Sequence, residues 1–186
     1  RMVAIKGTFE RMARIARDTA RGLGKPLTFA VEGAHTELDR TMVEAIYDPL
    51  VHLIRNAIDH GLEGPIERVR RGKPEAGTLT LRAFHQAGHI VVEVADDGAG
   101  LDRNRIRARA IERGLIADDV ALSDGELDQL IFAPGFSTAA AVTSVSGRGV
   151  GMDVVKTKVE AVRGRVEIAS VPGAGTTFRL KLPLTL

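Results

Sequence analysis

The chain alternates between two hydrophobic rhythms. From Phe9 to Leu23, the residues Phe9, Met12, Ala13, Ile15, Ala16, Ala20 and Leu23 recur near the 3.6-residue helical period, and Gly22 and Gly24 supply stop signals. LTFAVEG then alternates with the two-residue period of a strand. The helical period resumes over LDRTMVEAIYDPLVHLIRNAIDHG, where Leu38, Met42, Ile46, Leu50, Leu53, Ile54, Ala57 and Ile58 share one side. Asp48-Pro49 is expected to kink or restart that helix, because proline has no N–H and restricts the residue before it. TLTLRAF and HIVVEVAD, separated by HQAG, read as paired antiparallel strands, and so do GRVEIASV and TTFRLKLPL around PGAG. Between the pairs the pattern predicts a helix near Asn104 to Arg113, and a second opened by the capping box Ser123-Asp124-Gly125-Glu126. A loop of small residues from Ala133 to Ser146 and a helix from about Val150 to Val162 follow. Two hairpins and several amphipathic helices imply an α+β two-layer sandwich, with helices on one face of a mixed, mostly antiparallel sheet.

The 186 residues suit one domain spanning 1–186. The start on Arg1 and the apolar ending LPLTL suggest a piece of a longer protein. With 26 Lys and Arg against 24 Asp and Glu, and aromatics at 4%, the profile argues against nucleic-acid binding, which needs a concentrated basic face or stacking platforms. The absence of cysteine excludes disulfides, thiolate chemistry and Cys-based zinc sites, and is compatible with a reducing compartment. No signal-peptide pattern and no apolar run of bilayer-spanning length occurs, so the chain reads as cytoplasmic, without direct membrane insertion.

Three segments carry candidate chemistry. In VHLIRNAIDHGLE, His52, Asn56, Asp59 and His60 fall at i, i+4, i+7 and i+8 and are expected on one helical stripe. A solvated polar face and a zinc site are the competing readings; HExxH is absent. In EVADDGAGLD, Asp96 ends an apolar strand before Gly98 and Gly100, so a carboxylate stands beside bared backbone. Such an arrangement can accept a hydrogen bond from an exocyclic amine while a flat ring approaches; an ordinary Asp-Gly turn is the alternative. In VSGRGVGMDVVK, Gly147, Gly149 and Gly151 precede a helix, which suggests backbone N–H groups open to an anion. Neither the dinucleotide fingerprint nor a P-loop fits, and a flexible turn remains open.

Taken in order, HxxxNxxDH on a helix, DDGAGLD after a strand, FAPGFST, GRGVG opening a helix and GTTF in the closing hairpin resemble a known pattern. It is the Bergerat-type ATP-binding fold shared by histidine kinases, gyrase, Hsp90 and MutL. HLIRNAIDHGLE, GFSTAAAVTSVSGRGVGMDVV and LPLTL are most similar to the catalytic domain of the CheA family of chemotaxis histidine kinases, over essentially the whole chain.

The resemblance implies roles. Asn56 would be the protein's ligand for Mg²⁺, His52 would lie near the γ-phosphate of ATP, His60 would contact phosphate, and Asp59 would orient its neighbours. Asp96 would read the adenine amino group, with Gly98 and Gly100 giving room and Thr176 fixing the adenine end, often through water. Phe132 and Phe136 match the F box, and residues 133–148, continuing to Gly151, match the ATP lid, with Ser137 at its start. Gly147, Arg148, Gly149, Val150, Gly151 and Met152 match the second glycine box around the triphosphate. Arg105, Arg109 and Arg113 form a basic stripe where the family often uses lysine, Arg105 being the expected phosphate contact. The implied activity is transfer of the γ-phosphoryl of Mg-ATP to a histidine on a separate phospho-accepting domain absent from this chain. The implied partners are dimerisation and receptor-coupling domains and a downstream response regulator. A gyrase- or Hsp90-type hydrolytic ATPase and a non-enzymatic nucleotide-sensing module are the alternatives.

Overall fold

The two hairpins read from the sequence form the centre of a five-stranded sheet. The computed structural model describes residues 1–137 and 151–185. Residues 138–148 of the expected lid therefore lie outside the described residues, as do Gly147, Arg148, Gly149 and Val150 of the glycine box. The elements are β1 (Met2–Ala4), α1 (Lys6–Gly22), β2 (Leu27–Glu32), β3 (Glu37–Asp39), α2 (Arg40–Asn56), α3 (Pro65–Arg70), β4 (Gly77–Gln86), β5 (His89–Asp96), α4 (Arg103–Glu112), α5 (Asp124–Gln129), α6 (Met152–Glu160), β6 (Arg165–Val171) and β7 (Gly175–Pro183). A π-helical turn, Ala57–Gly61, extends α2, and a 3-10 turn, Leu130–Phe132, extends α5.

The main sheet runs β2-β4-β5-β7-β6. Its pairings are antiparallel except β2 with β4, which is parallel and joined by the crossover through α2 and α3. That parallel pair, the small β1-β3 sheet and α3 had no counterpart in the sequence reading. The β4–β5 hairpin turns on Ala87 and Gly88, with φ of 48° and 79°, the left-handed pair that a two-residue turn needs to match strand twist. Ala87 adopts a conformation that usually falls to glycine or asparagine.

One sheet face carries Leu79, Leu81, Ala83, Ile90, Val92, Val94, Phe178, Leu180 and Leu182, all buried in a single core with α1, α2 and α6. The other face carries charge. Glu32, Arg82, Glu93, Arg179 and Glu167 stand in register across all five strands, alternating in sign. Arg82 pairs with Glu32 at 2.9 Å and Arg179 with Glu93 at 2.8 Å. These cross-strand pairs favour this register, since a one-residue slip would turn the charged side chains to the apolar face and a two-residue slip would part most of them from their opposite charges.

Two expectations about α2 are corrected. The helix runs through Pro49 without a break; the ring is buried against the core, and its burial offsets the hydrogen bond that the missing N–H removes. The α-helical period also ends at Asn56, because the following turn is π-helical. The phase of Asp59 and His60 is therefore set by the π-helical turn rather than by the α-helical period.

Candidate functional site

The site grows from the C-terminal end of β5. Asp96 closes that strand opposite Thr176 of β7. Its Oδ1 accepts the Gly98 N–H at 2.8 Å, and the Thr176 main chain donates to the same carboxylate. Burial pushes the carboxyl up to about 6; the two N–H bonds oppose that, while the negative charges of Asp97 and Glu63 add to it. Among the described residues the group has only neutral backbone donors, and it retains lone pairs for an external donor. Thr176 is buried, with Oγ1 3.0 Å from Ser170 Oγ, which also accepts the Leu101 N–H at 2.8 Å.

Gly98 and Gly100 serve close contact between chain segments. A Cβ on Gly98 would lie 2.0 Å from the Gly61 carbonyl oxygen, and one on Gly100, where φ is +76°, would lie 2.5 Å from the Val171 carbonyl oxygen. Ala99 N–H donates to Gly61 O at 2.9 Å, and Gly173 N–H donates to Ala99 O at 2.7 Å. The DDGAG turn is thereby held between the end of the helical segment and the β6–β7 turn. The bare backbone expected to admit a ring also locks three segments together.

A second group of candidate residues lies at the end of α2. His52 and Asn56 are both half-buried. Asn56 Nδ2 donates to the Met152 sulfur at 2.9 Å, which directs the amide oxygen away from α6. Burial pulls the His52 imidazole below its ordinary pKa, the Arg55 charge adds to that, and Asp153 acts against it, so the ring is neutral at pH 7. Gly151 caps α6, and Ser137 approaches it: the Ser137 Cβ is 3.4 Å from the position a Cβ on Gly151 would take.

The other expected contacts disperse. Asp59 and His60 pair with each other, His60 Nε2 to Asp59 Oδ2 at 3.4 Å, and the His60 side chain is 72% exposed. Arg105 is exposed and its main-chain N–H takes the Asp102 cap. Arg109 lies over the Phe136 ring at 5.8 Å, and Phe132 meets Phe178 edge-on at 6.3 Å. The F box therefore packs into the core and steers an arginine stem with it.

Several side chains around the site went unread in the sequence. Lys25 Nζ donates to the carbonyls of Ile58, Asp59 and Leu62 at 2.7, 2.9 and 2.8 Å, capping the π-helical turn. Burial lowers its pKa, and Asp59 and Glu63 counter this. Behind the DDGAG turn, Arg68 bridges Glu63 and Asp97, and Lys73 reaches Glu63. Arg103 grips Asp128 through two nitrogens, each at 3.0 Å, and donates to Ser170 O at 2.9 Å, which ties α4 to α5 and β6.

Comparison with known proteins accords with this geometry. Residues 45–186 match the family described as histidine kinase-, DNA gyrase B-, and HSP90-like ATPase. The chain is 50% identical to the chemotaxis protein CheA of Bacillus subtilis and 52% identical to that of Salmonella typhimurium, in each case over 100% of this chain and 28% of the relative. It thus spans little more than a quarter of these relatives. Its fold is similar to the catalytic domain of histidine kinase ThkA, with a TM-score of 0.61 at 13% identity, over 100% of this chain and 95% of that one. A blue-light-activated histidine kinase domain of Erythrobacter litoralis gives 0.56 at 15% identity, over 98% of this chain and 66% of that one. With 142 of its 186 residues (45 to 186) matched, the chain belongs to the histidine kinase-, DNA gyrase B- and HSP90-like ATPase family, and its domain is an ATP-binding one.

Proposed function

We propose that this chain is the ATP-binding catalytic domain of a CheA-like histidine autokinase, one unit over residues 1–186 of a longer cytoplasmic protein. Its reaction is transfer of the γ-phosphoryl of Mg-ATP to a histidine on a separate phospho-accepting domain. The imidazole nitrogen forms the new N–P bond, the bond to the β-phosphate oxygen breaks, and ADP leaves. The incoming imidazole is already a nucleophile, so the domain contributes position and charge neutralisation rather than a covalent intermediate. The partners that follow are the phospho-accepting, dimerisation and receptor-coupling domains and a response regulator.

The observation that carries the reading is the Asp96 carboxylate, held at a strand end by backbone donors and without an ion-pair partner among the described residues. Asp96 accepts the adenine amino group, and buried Thr176 closes the same end. Asn56 suits Mg²⁺: its amide nitrogen is engaged by Met152, leaving one hard oxygen, and Mg²⁺ commonly takes one or two protein oxygens beside waters and phosphates. When bound, the ion neutralises charge on the phosphates. Neutral His52 donates to or orients the γ-phosphate. Gly147 through Met152, Ser137 and Arg105 belong to the phosphate end, with His60 as an outer contact.

Incubation with radiolabelled ATP, Mg²⁺ and a supplied CheA phospho-accepting domain tests the proposal. Label on that domain's histidine is the expected result. Rapid release of inorganic phosphate with no acceptor present, and no labelled domain, would replace it with the hydrolytic reading.

A further inference from the structure

We propose that Glu63, Arg68, Lys73 and Asp97 form a buried positioning network that holds the Asp96–Gly98 turn in the register needed to discriminate adenine from guanine. This rests on the assignment of Asp96 to the adenine amino group. None of the four residues belongs to the adenine contacts or the phosphate end described above.

The network is closed in charge and in hydrogen bonds. Arg68, whose side chain is 1% exposed, donates from Nε to Pro74 O at 2.8 Å, from Nη1 to Glu63 Oε1 at 3.0 Å and to Asp97 O at 3.2 Å, and from Nη2 to Asp97 Oδ2 at 3.1 Å. Lys73 Nζ lies 2.7 Å from Glu63 Oε2, 3.0 Å from Asp97 O and 2.9 Å from Gly98 O. Asp97 Oδ1 accepts the Thr78 N–H at 2.8 Å, which ties the same turn to β4. Two cations balance two carboxylates, so neither cation is left over for Asp96.

Arg68 and Glu63 are buried while Lys73 and Asp97 are partly exposed, and burying the inner pair is a poor route to stability, because desolvation consumes most of the Coulombic gain and an apolar cluster of equal volume does as well. What the charged version supplies is direction. Arg68 and Lys73 fix the carbonyl of Asp97, and Lys73 fixes that of Gly98. Gly98 N–H is in turn the donor that orients the Asp96 carboxylate. The chain of restraint runs from the buried cations to two main-chain oxygens, and from there to the group that meets the base.

The helix that brings Arg68 inward is inverted in pattern. Ile66 is 85% and Val69 60% exposed, while Arg68 between them is buried. A local sequence that breaks the apolar-in rule at some cost commonly marks a functional constraint.

Base choice supplies the test. Adenine presents an amino donor to a carboxylate, whereas guanine presents a carbonyl oxygen at the matching position and is repelled. A slack turn loses that distinction, whereas general destabilisation lowers the competent fraction equally for both bases and leaves their ratio unchanged. Calorimetric titration of the 186-residue chain with ADP and with GDP reads the ratio directly, and thermal unfolding of each variant establishes that it is folded. Lys73→Met is expected to weaken ADP about tenfold, the scale of a lost charge-assisted hydrogen bond, and GDP little, so that the ratio collapses. Lys73→Arg should restore most of it. If Lys73→Met does not fold, Glu63→Gln, which keeps shape and removes charge, is expected to lower the ratio in the same direction. A folded variant of either kind with the parent's ADP-to-GDP ratio overturns the proposal. Asp96→Asn separates the two layers. If it abolishes the preference while folded Lys73→Met keeps it, only the network fails. If the parent shows no preference and Asp96→Asn changes nothing, the adenine reading fails and the network proposal falls with it.

Discussion

The adenine end and the phosphate end of the site are built on opposite plans. At the adenine end, Asp96 is fixed by two backbone donors, three chain segments are bonded around Gly61, Ala99 and Gly173, and a buried ion network stands behind them. At the phosphate end, Asn56 has one soft sulfur partner, His52 is half-buried, and Ser137 and Arg105 are exposed. A base is rigid and neutral and has one edge to read, so preformed geometry discriminates well. A triphosphate with its metal brings charge that reorganises whatever meets it, and a site that must then admit a second protein's histidine gains from contacts completed only on binding. On the proposed reading, selection of the nucleotide and use of it fall to different ends.

The strongest way to break this contrast is at the rigid end. Arg68→Met removes the buried guanidinium that bridges Glu63 and Asp97, leaving Glu63 paired with Lys73 alone, and should cost about 3 kcal/mol of folding stability in denaturant unfolding, the scale of losing one partner from a buried pair. Loss of less than 1 kcal/mol would show the adenine end to be far less rigid than its hydrogen bonds imply. At the other end, Asn56→Ala should slow phosphotransfer by about 10²-fold, the scale of a misplaced reacting group, while ADP binding and stability change little. A variant that lost nucleotide binding yet kept its turnover per bound ATP would reverse the assignment of the two ends.

Asp96→Asn keeps the shape but replaces an acceptor oxygen with a donor, and ATP affinity measured by calorimetry should fall by about 1 to 3 kcal/mol. Protonation performs a milder version of that substitution. Because the carboxyl is pushed up to about 6, above its ordinary value, its contribution to the stability of the ligand-free protein is present at low pH and is lost as pH rises through about 6. Nucleotide prefers the ionised form, so affinity moves the other way and should drop by up to about tenfold from pH 7 to 5. Asp96→Asn should lack that component; an identical pH profile in variant and parent would remove the titration from Asp96. The smallest effect belongs to the shoulder between the two ends. Arg109→Ala removes a cation from the face of Phe136 and should cost about 0.5 to 1 kcal/mol of stability, with nucleotide discrimination unchanged.

Sequence pattern reached the parts of this protein whose cause is local. The hairpins announced themselves through alternation and turn residues, α5 through Ser123 and Glu126, which form the expected capping box, and α1 through its apolar stripe. Asp96 and Asn56 were visible because each sits at a fixed place in an ordered motif. Arg68 was not, since its flanking apolar residues face solvent and nothing local marks a buried arginine. Lys25 lies more than thirty residues from the carbonyls it caps, and Ser170 and Arg103 act on segments equally remote in the chain. The unbroken helix through Pro49 and the π-helical turn after Asn56 also escaped, because proline chemistry allows a restart there and helical period predicts a continuous stripe.

The sequence by itself determined the two hairpins, the long helices and the strand-end and helix-end positions of Asp96 and Asn56, because periodicity and turn chemistry act between neighbours. Tertiary structure alone decided the parallel pairing of β2 with β4, the phase of Asp59 and His60, and the use of Gly98 and Gly100 to bring backbones within contact. It also decided which charges neutralise one another behind the DDGAG turn and so leave Asp96 unpaired. A carboxylate's role depends on the charges around it, and those charges come from segments that only the fold brings together.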